Sequence, residues 1–219
     1  MAAKFGTSGL RGLVEELIGP VTQDHVRAFI RHLKTKRLAK TGDAVFVGLD
    51  FRASSPALRE DVAKALAMEG MREVYLGAVP TPALAFEAMA KKSAAIMITG
   101  SHIPADRNGI KFYTSIGEIT KADEKAIVAL VKKLPAGKIA PVKSKNGSVA
   151  GFVARNKKAF AGKPLKGMRV GVYQHSTVAR DMLVELLRAA GAEVTALARS
   201  DIFIPVDTES VSQETLRLL

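Results

Sequence analysis

Ala94-Ala95-Ile96-Met97-Ile98, running straight into Thr99-Gly100-Ser101-His102-Ile103-Pro104-Ala105-Asp106-Arg107-Asn108-Gly109-Ile110-Lys111, is the stretch on which the reading of this sequence turns. Its first five residues are apolar without alternation, the pattern of a short strand buried on both faces. A long polar loop follows and leads into a further strand at Ile110–Tyr113. Upstream, Ala44-Val45-Phe46-Val47-Gly48-Leu49 and Val74-Tyr75-Leu76 read as strands of the same kind. Helices are expected between them. One follows Thr22, where Val26, Phe29, Ile30 and Leu33 recur at i, i+3, i+4 and i+7. Another starts at Ser55-Pro56, read as an N-cap with proline at the first helical position, and runs through Val62 and Leu66 to Glu69-Gly70. A third is opened by Pro80-Thr81-Pro82 and runs from Leu84 to Met89. Thr120 with Asp123 resembles a capping box and starts a helix bearing Ile127, Leu130, Val131 and Leu134 on one face. This alternation predicts a three-layer α/β/α domain over residues 1–136, with a mixed, largely parallel sheet.

Residues 137–148, within the glycine-, proline- and lysine-rich run Pro135–Ser148, read as a linker. Residues 149–219 then begin a second α/β unit. Met168–Tyr173 is its strand, Thr177–Ala190 its helix ended by Gly191, and Glu193–Leu197 the next strand, with a new helix beginning near Ser210. One βαβ unit and a fragment are too little for an independent doubly wound domain, so the second domain is expected to be incomplete.

Composition narrows the function classes. There is no cysteine, which excludes disulfides and thiolate zinc sites. The first residues lack the apolar segment of a signal peptide, and no apolar run approaches the ~20 residues of a membrane-spanning helix. A cytoplasmic protein with no membrane partner is the expectation. The formal net charge of +12 is concentrated: eleven Lys and Arg and no Asp or Glu lie between Lys132 and Arg169. That stretch holds only Phe152 and Phe160 as stacking groups, so a solvated linker and surface helix fit better than a nucleic-acid interface. The sequence does not disclose the oligomeric state.

In open α/β sheets ligands gather beyond the carboxyl ends of the strands. Asp50-Phe51-Arg52-Ala53-Ser54-Ser55 stands there, and so does the loop from Thr99 to Lys111. The second carries a hydroxyl, an imidazole, a guanidinium and an ammonium, the inventory phosphoryl transfer requires: a nucleophile, cations for the spreading charge and a proton carrier. A Gly-Ser-His triplet is also a common turn, with the serine bonding its own backbone. Gly-x-Gly-x-x-Gly, Walker-type, Gly-x-Ser-x-Gly and Ser-x-x-Lys motifs are absent, which weakens nucleotide and serine-hydrolase readings.

Thr99-Gly100-Ser101-His102-x-Pro104 with Asn108-Gly109-x-Lys111 resembles the phosphoserine loop of the α-D-phosphohexomutases. Phe5-Gly6-Thr7-Ser8-Gly9-Leu10-Arg11-Gly12 is similar to that family's N-terminal motif, and Gly48-Leu49-Asp50-Phe51-Arg52 to a third element. The resemblance implies a phosphoglucomutase or phosphomannomutase activity on a sugar-phosphate substrate. Phosphorylated Ser101 would give its phosphate to a hexose 1- or 6-phosphate, and the hexose bisphosphate intermediate would reorient and return its other phosphate. His102 and Lys111 would flank the transferring group and Arg11 would lean over it. Thr7, Ser8, Gly100 and Arg52 are further candidates for holding phosphate, Arg52 being equally readable as a structural partner of Asp50. Ile103 departs from the family's usual asparagine. The family binds one Mg2+ through the phosphoserine and an Asp-Gly-Asp-Gly-Asp-Arg loop, but no Asp-x-Asp occurs here. Ser101 is then the one metal ligand foreseen, and this chain alone is expected to bind magnesium weakly and to be inactive. The rival readings are a phosphoglucosamine mutase and a non-catalytic module binding anions or nucleic acid.

Overall fold

In the computed structural model, which describes residues 3–6, 9–138, 140–205 and 213–218, the elements follow in the order β1 (Lys4–Phe5), β2 (Leu10–Leu13), α1 (Val14–Leu17), α2 (Pro20–Thr35), β3 (Ala44–Leu49), α3 (Ser55–Met68), β4 (Arg72–Ala78), α4 (Thr81–Ala90), β5 (Ala94–Ile98), β6 (Arg107–Thr114), β7 (Gly117–Glu118), α5 (Lys121–Val131), β8 (Ser144–Asn146), α6 (Ala150–Ala159), β9 (Arg169–His175), α7 (Arg180–Ala189), β10 (Glu193–Arg199) and α8 (Gln213–Leu218). Eight strands form one sheet in the order β1-β2-β6-β5-β3-β4-β8, with β7 paired to β6. Only β1 and β6 run against the other six, which makes the sheet mixed and largely parallel.

The apolar run in β5 is buried on both faces, as its composition requires. Ala94, Ile96 and Ile98 enter the core beneath α2 and α3, whereas Ala95 and Met97 enter the core beneath α4. Val45 and Val47 against Phe46 repeat the alternation in β3. One sheet face is covered by α2, α3 and α5 and the other by α4, giving three layers. The capping box at α5 is formed: Asp123 N donates to Thr120 Oγ1 (3.2 Å) and Thr120 N to Asp123 Oδ2 (2.8 Å). Asp123 Oδ1 also lies 2.7 Å from His32 Nε2 and accepts from Lys36 Nζ at 2.9 Å, joining the cap to α2.

Several sequence expectations are corrected. Helix α2 starts at Pro20 rather than after Thr22, because Gly19 (φ 89°) turns the chain and Pro20 occupies its first position. Thr22 instead donates to Leu17 O. The N-cap of α3 is Ser54, not Ser55, whose hydroxyl is drawn to Asp50 Oδ1 at 2.6 Å. Helix α7 starts at Arg180 rather than Thr177, since residues 176–179 turn before it. The 137–148 segment is not only a linker: β8 within it extends the sheet, with Glu73 N donating to Lys143 O and Gly147 N to Tyr75 O, each at 2.8 Å. Its Ser-Lys-Asn sequence carries no strand signal; the open edge of β4 imposes the conformation.

Beyond it, β9 and β10 pair in parallel with α7 packed on them, around a small core of Val172, Val184, Ala192 and Val194. Helix α6 bridges α4 and α7 through Phe86–Phe152 (ring centroids 5.8 Å apart) and a Lys157–Glu185 ion pair. The helix expected near Ser210 is seen as α8, Ser210 itself lying outside the described residues.

Candidate functional site

The carboxyl ends of both sheets face one cleft of about 310 Å³. From the first sheet it is lined by Asp50, Phe51, Thr99, Ser101 and His102, which follow β3 and β5. From the second it is lined by His175–Val178, at and beyond the end of β9, and by Phe203 and Ile204 beyond β10. The Ser101 loop therefore lines the cleft at the carboxyl ends of the strands, the edge at which open α/β sheets place their sites.

Arg52 builds that loop. Its side chain is nearly fully buried, with Nη1 donating to Pro104 O (2.7 Å) and Arg107 O (3.0 Å) and Nη2 to Ser101 O (3.2 Å) and Ile103 O (2.5 Å). Nε lies 3.4 Å from Asp50 Oδ2, an ion-pair contact without hydrogen-bond alignment. Burial lowers the pKa of Arg52 and the Asp50 carboxylate opposes that shift. With these donors turned inward, Arg52 organises the loop, in keeping with the structural reading, as a partner of Asp50, that the sequence allows beside a phosphate-binding one. Asp50 completes the support, accepting from Gly100 N at 3.1 Å and from Arg52 N at 3.0 Å. Gly100 is required here, because a Cβ would lie 2.3 Å from Arg52 Nε. Asn108, buried behind the loop, donates to Ser54 Oγ and Ser55 Oγ.

Ser101 is held with φ at 55°, a left-handed conformation that costs a non-glycine residue about 1–2 kcal/mol. Arg52 at its carbonyl and Thr99 Oγ1 at its N–H (3.0 Å) keep it there. The result is an exposed hydroxyl at the cleft, whose hydrogen-bond contact among the described residues is His102 Nδ1 at 3.4 Å. Arg11 and Lys111 come from neighbouring strands. Arg11 on β2 is opposite Gly109 on β6, and Lys111 lies two residues on, so both project from the face that carries Met97 and Tyr113. The space a Cβ would fill at Gly109 is bordered by Arg11 Cγ (3.3 Å) and Thr99 O (2.9 Å), which brings the Arg11 stem beside the root of the loop. Arg11 and Lys111 are not among the residues lining the cleft, and neither side chain makes an ion pair or hydrogen bond with another described residue. Thr7 and Ser8 lie outside the described residues.

Residues 2–137 match phosphoglucomutase/phosphomannomutase, alpha/beta/alpha domain I. The chain belongs to that family. A phosphomannomutase of Sinorhizobium fredii is 46% identical over 226 residues, covering all of this chain and 48% of the relative. A phosphoglucosamine mutase of Alkalilimnicola ehrlichii is 32% identical over 205 residues, covering 89% of this chain and 44% of its own. Among solved structures, a phosphoglucomutase/phosphomannomutase family protein from Burkholderia thailandensis superposes with a TM-score of 0.71 at 25% identity, over 87% of this chain and 42% of that one. The chain thus spans about half the length of the curated relatives it matches.

His175, Ser176, Thr177 and Phe203 line the cleft without being marked by any motif of the phosphohexomutase resemblance, and Phe51, inside the third motif, is not singled out by it as a site residue. The rule that led to the Thr99–Lys111 loop also applies to the strand ending near Tyr173, and would lead to His175-Ser176-Thr177. His175 has φ 47° and its Nδ1 lies 3.1 Å from Ser176 Oγ. Burial lowers its pKa, favouring neutral imidazole. The described residues do not by themselves fit magnesium. No group of three or more His, Cys, Asp or Glu among them is placed to hold a metal, and Asp50 is committed to the loop. Nor is any helix among them long and apolar enough to cross a membrane.

Proposed function

We propose that Ser101 carries the transferable phosphoryl group of a hexose-phosphate mutase, phosphomannomutase being the preferred reading. The observation that carries it is an exposed serine hydroxyl, held at φ 55° by a buried arginine, opening on a cleft between two sheet ends. A backbone strained to present a side chain outward suits a group that must give and receive phosphate. In the forward half-reaction the phosphoserine P–O bond breaks as a sugar hydroxyl forms a new O–P bond. The hydroxyl proton passes to a nearby base and the serine oxygen regains a proton; reversal at the other sugar phosphate restores phosphoserine. His102, in contact with Ser101 Oγ, is placed to move the proton. Arg11 and Lys111 would supply positive charge beside the loop, Arg11 through its forked donors.

The mannose preference is supported by 46% identity to a phosphomannomutase against 32% to a phosphoglucosamine mutase. Magnesium, if used, would need carboxylates beyond those described, and no step above is routed through it. Cytoplasmic placement is part of the same reading. So is low turnover by these 219 residues alone, since they span about half of each relative. Interconversion of the 1- and 6-phosphates of mannose and of glucose, assayed beside those of glucosamine, tests the substrate class. Substantial turnover by this chain alone would refute the low-turnover expectation, and turnover restricted to glucosamine phosphates would overturn the mannose reading.

A further inference from the structure

A guanidinium whose edges are committed to hydrogen bonds still has two faces, and those faces are weakly hydrated enough to stack on aromatic rings. Arg52 spends its edges on the Ser101 loop, and Phe203 of the second unit covers one face, with Cζ 4.4 Å from the ring centroid. The converse contact is also present. Arg180, buried at the start of α7, bonds Ser200 O and Asp201 Oδ1 in the loop after β10, and its Cζ lies 4.7 Å from the centroid of Phe51 in the first domain. Each unit thus contributes one arginine and one phenylalanine. Phe51 adjoins Arg52 in sequence, and Phe203 follows two residues after Asp201, the residue Arg180 holds.

We infer that Phe51 and Phe203 are positioning residues, and that the two reciprocal Arg–Phe stacks form a clasp through which the second unit sets the conformation of the phosphoserine loop. Two contacts restrict the separation of the units and leave rotation only about the line joining them, which one contact could not do. The lever arm is short. Phe203 presses on the guanidinium that holds the carbonyls of Ser101, Ile103, Pro104 and Arg107, so a change in inter-unit angle reaches Ser101 through a single side chain. Closing the cleft would lock Ser101 in its strained presentation, and opening it would free the loop to relax. The functional part of this inference rests on the mutase reading above; the mechanical part does not.

The test is amide hydrogen exchange across residues 99–107 in this chain, comparing Phe203→Leu, which keeps apolar bulk without a π face, with Phe203→Tyr, which keeps the ring. Phe203→Leu should speed exchange in 99–107 about tenfold while β3 and β5 stay protected, and Phe203→Tyr should restore near-native rates. Phe51→Leu should act on the other half, speeding exchange in 199–205. Equal behaviour of the Leu and Tyr variants, or an effect of Phe203→Leu confined to the second unit, would overturn the clasp. Phosphoryl uptake by Ser101 from a hexose bisphosphate, slowed in Phe203→Leu and rescued in Phe203→Tyr, supplies the functional readout. A wild-type chain that takes up no phosphate defeats the mutase reading, while exchange still decides the clasp.

Discussion

The loops at 99–107 and 199–203 are each organised by a buried arginine, Arg52 in one and Arg180 in the other, yet they rest on different foundations. Arg52 reaches a loop rooted in an eight-stranded sheet with helices on both faces, and donates to four of its carbonyls. Arg180 reaches a loop rooted in two strands, and binds one carbonyl and the carboxylate of Asp201, which is 81% exposed. The same side chain therefore serves as an internal strut in the first domain and as a surface tie in the second. Ser101, at φ 55°, has the depth of the first domain behind it, whereas His175, at φ 47° in the second unit, rests on the two-stranded sheet alone.

That contrast can be broken most severely in the cores. Phe29→Ala, at a site with no exposure in the first domain, should cost about 4 kcal/mol. Val184→Ala, in the four-residue core of the second unit, should cost about 1–2 kcal/mol. Chemical denaturation monitored separately in each unit checks both values, and equal costs would remove the distinction. The loops come next. Gly100→Ala forces a Cβ to 2.3 Å from Arg52 and should cost about 3 kcal/mol by overpacking. Gly171→Ala in β9 meets only Leu197 Cδ1 at 3.3 Å and should cost less than about 1 kcal/mol. Paired thermal melts decide whether the first loop is as tightly packed as its geometry implies.

The smallest effect is a pH dependence. Burial would raise the Asp123 pKa, but hydrogen bonds from Thr120, Lys36 and His32 outweigh it and hold the carboxyl well below the ordinary range. A depressed folded-state pKa contributes stability that is present above the unfolded value near about 4 and lost as pH falls below it. Thermal midpoints of the first domain should therefore drop on acidification from pH 5 to about 2, and Asp123→Asn should flatten that limb. In the second unit Asp181, bonded to Arg199, is shifted the same way but is exposed, so its acid dependence should be weaker.

The sequence was most legible where burial dictates composition. Ala94–Ile98 appears as the β5 strand without adjustment, and the Thr120–Asp123 box caps α5. It was least legible where one segment borrows its structure from another. Leu10–Leu13 is a strand because β6 lies beside it, although Arg11-Gly12 hides any apolar run. Ser144–Asn146 is a strand because β4 has a free edge. Ser101 and His102 stand together at the cleft as their motif suggested, whereas Arg52 turned out to point inward. A salt-bridge partner two residues away does not reveal that a guanidinium will be wrapped by carbonyls 49 to 55 residues downstream. The stacks on Phe203 and Phe51 join residues roughly 130 to 150 positions apart, beyond the reach of any local pattern.

The most direct test of Ser101 as the phosphoryl carrier is intact-mass and peptide-mapping analysis of the purified chain after incubation with hexose 1,6-bisphosphate. A single phosphate increment that maps to Ser101, and disappears in Ser101→Ala while the first domain keeps its thermal midpoint, is the predicted result. An unmodified Ser101, or phosphate that persists in Ser101→Ala, would contradict it.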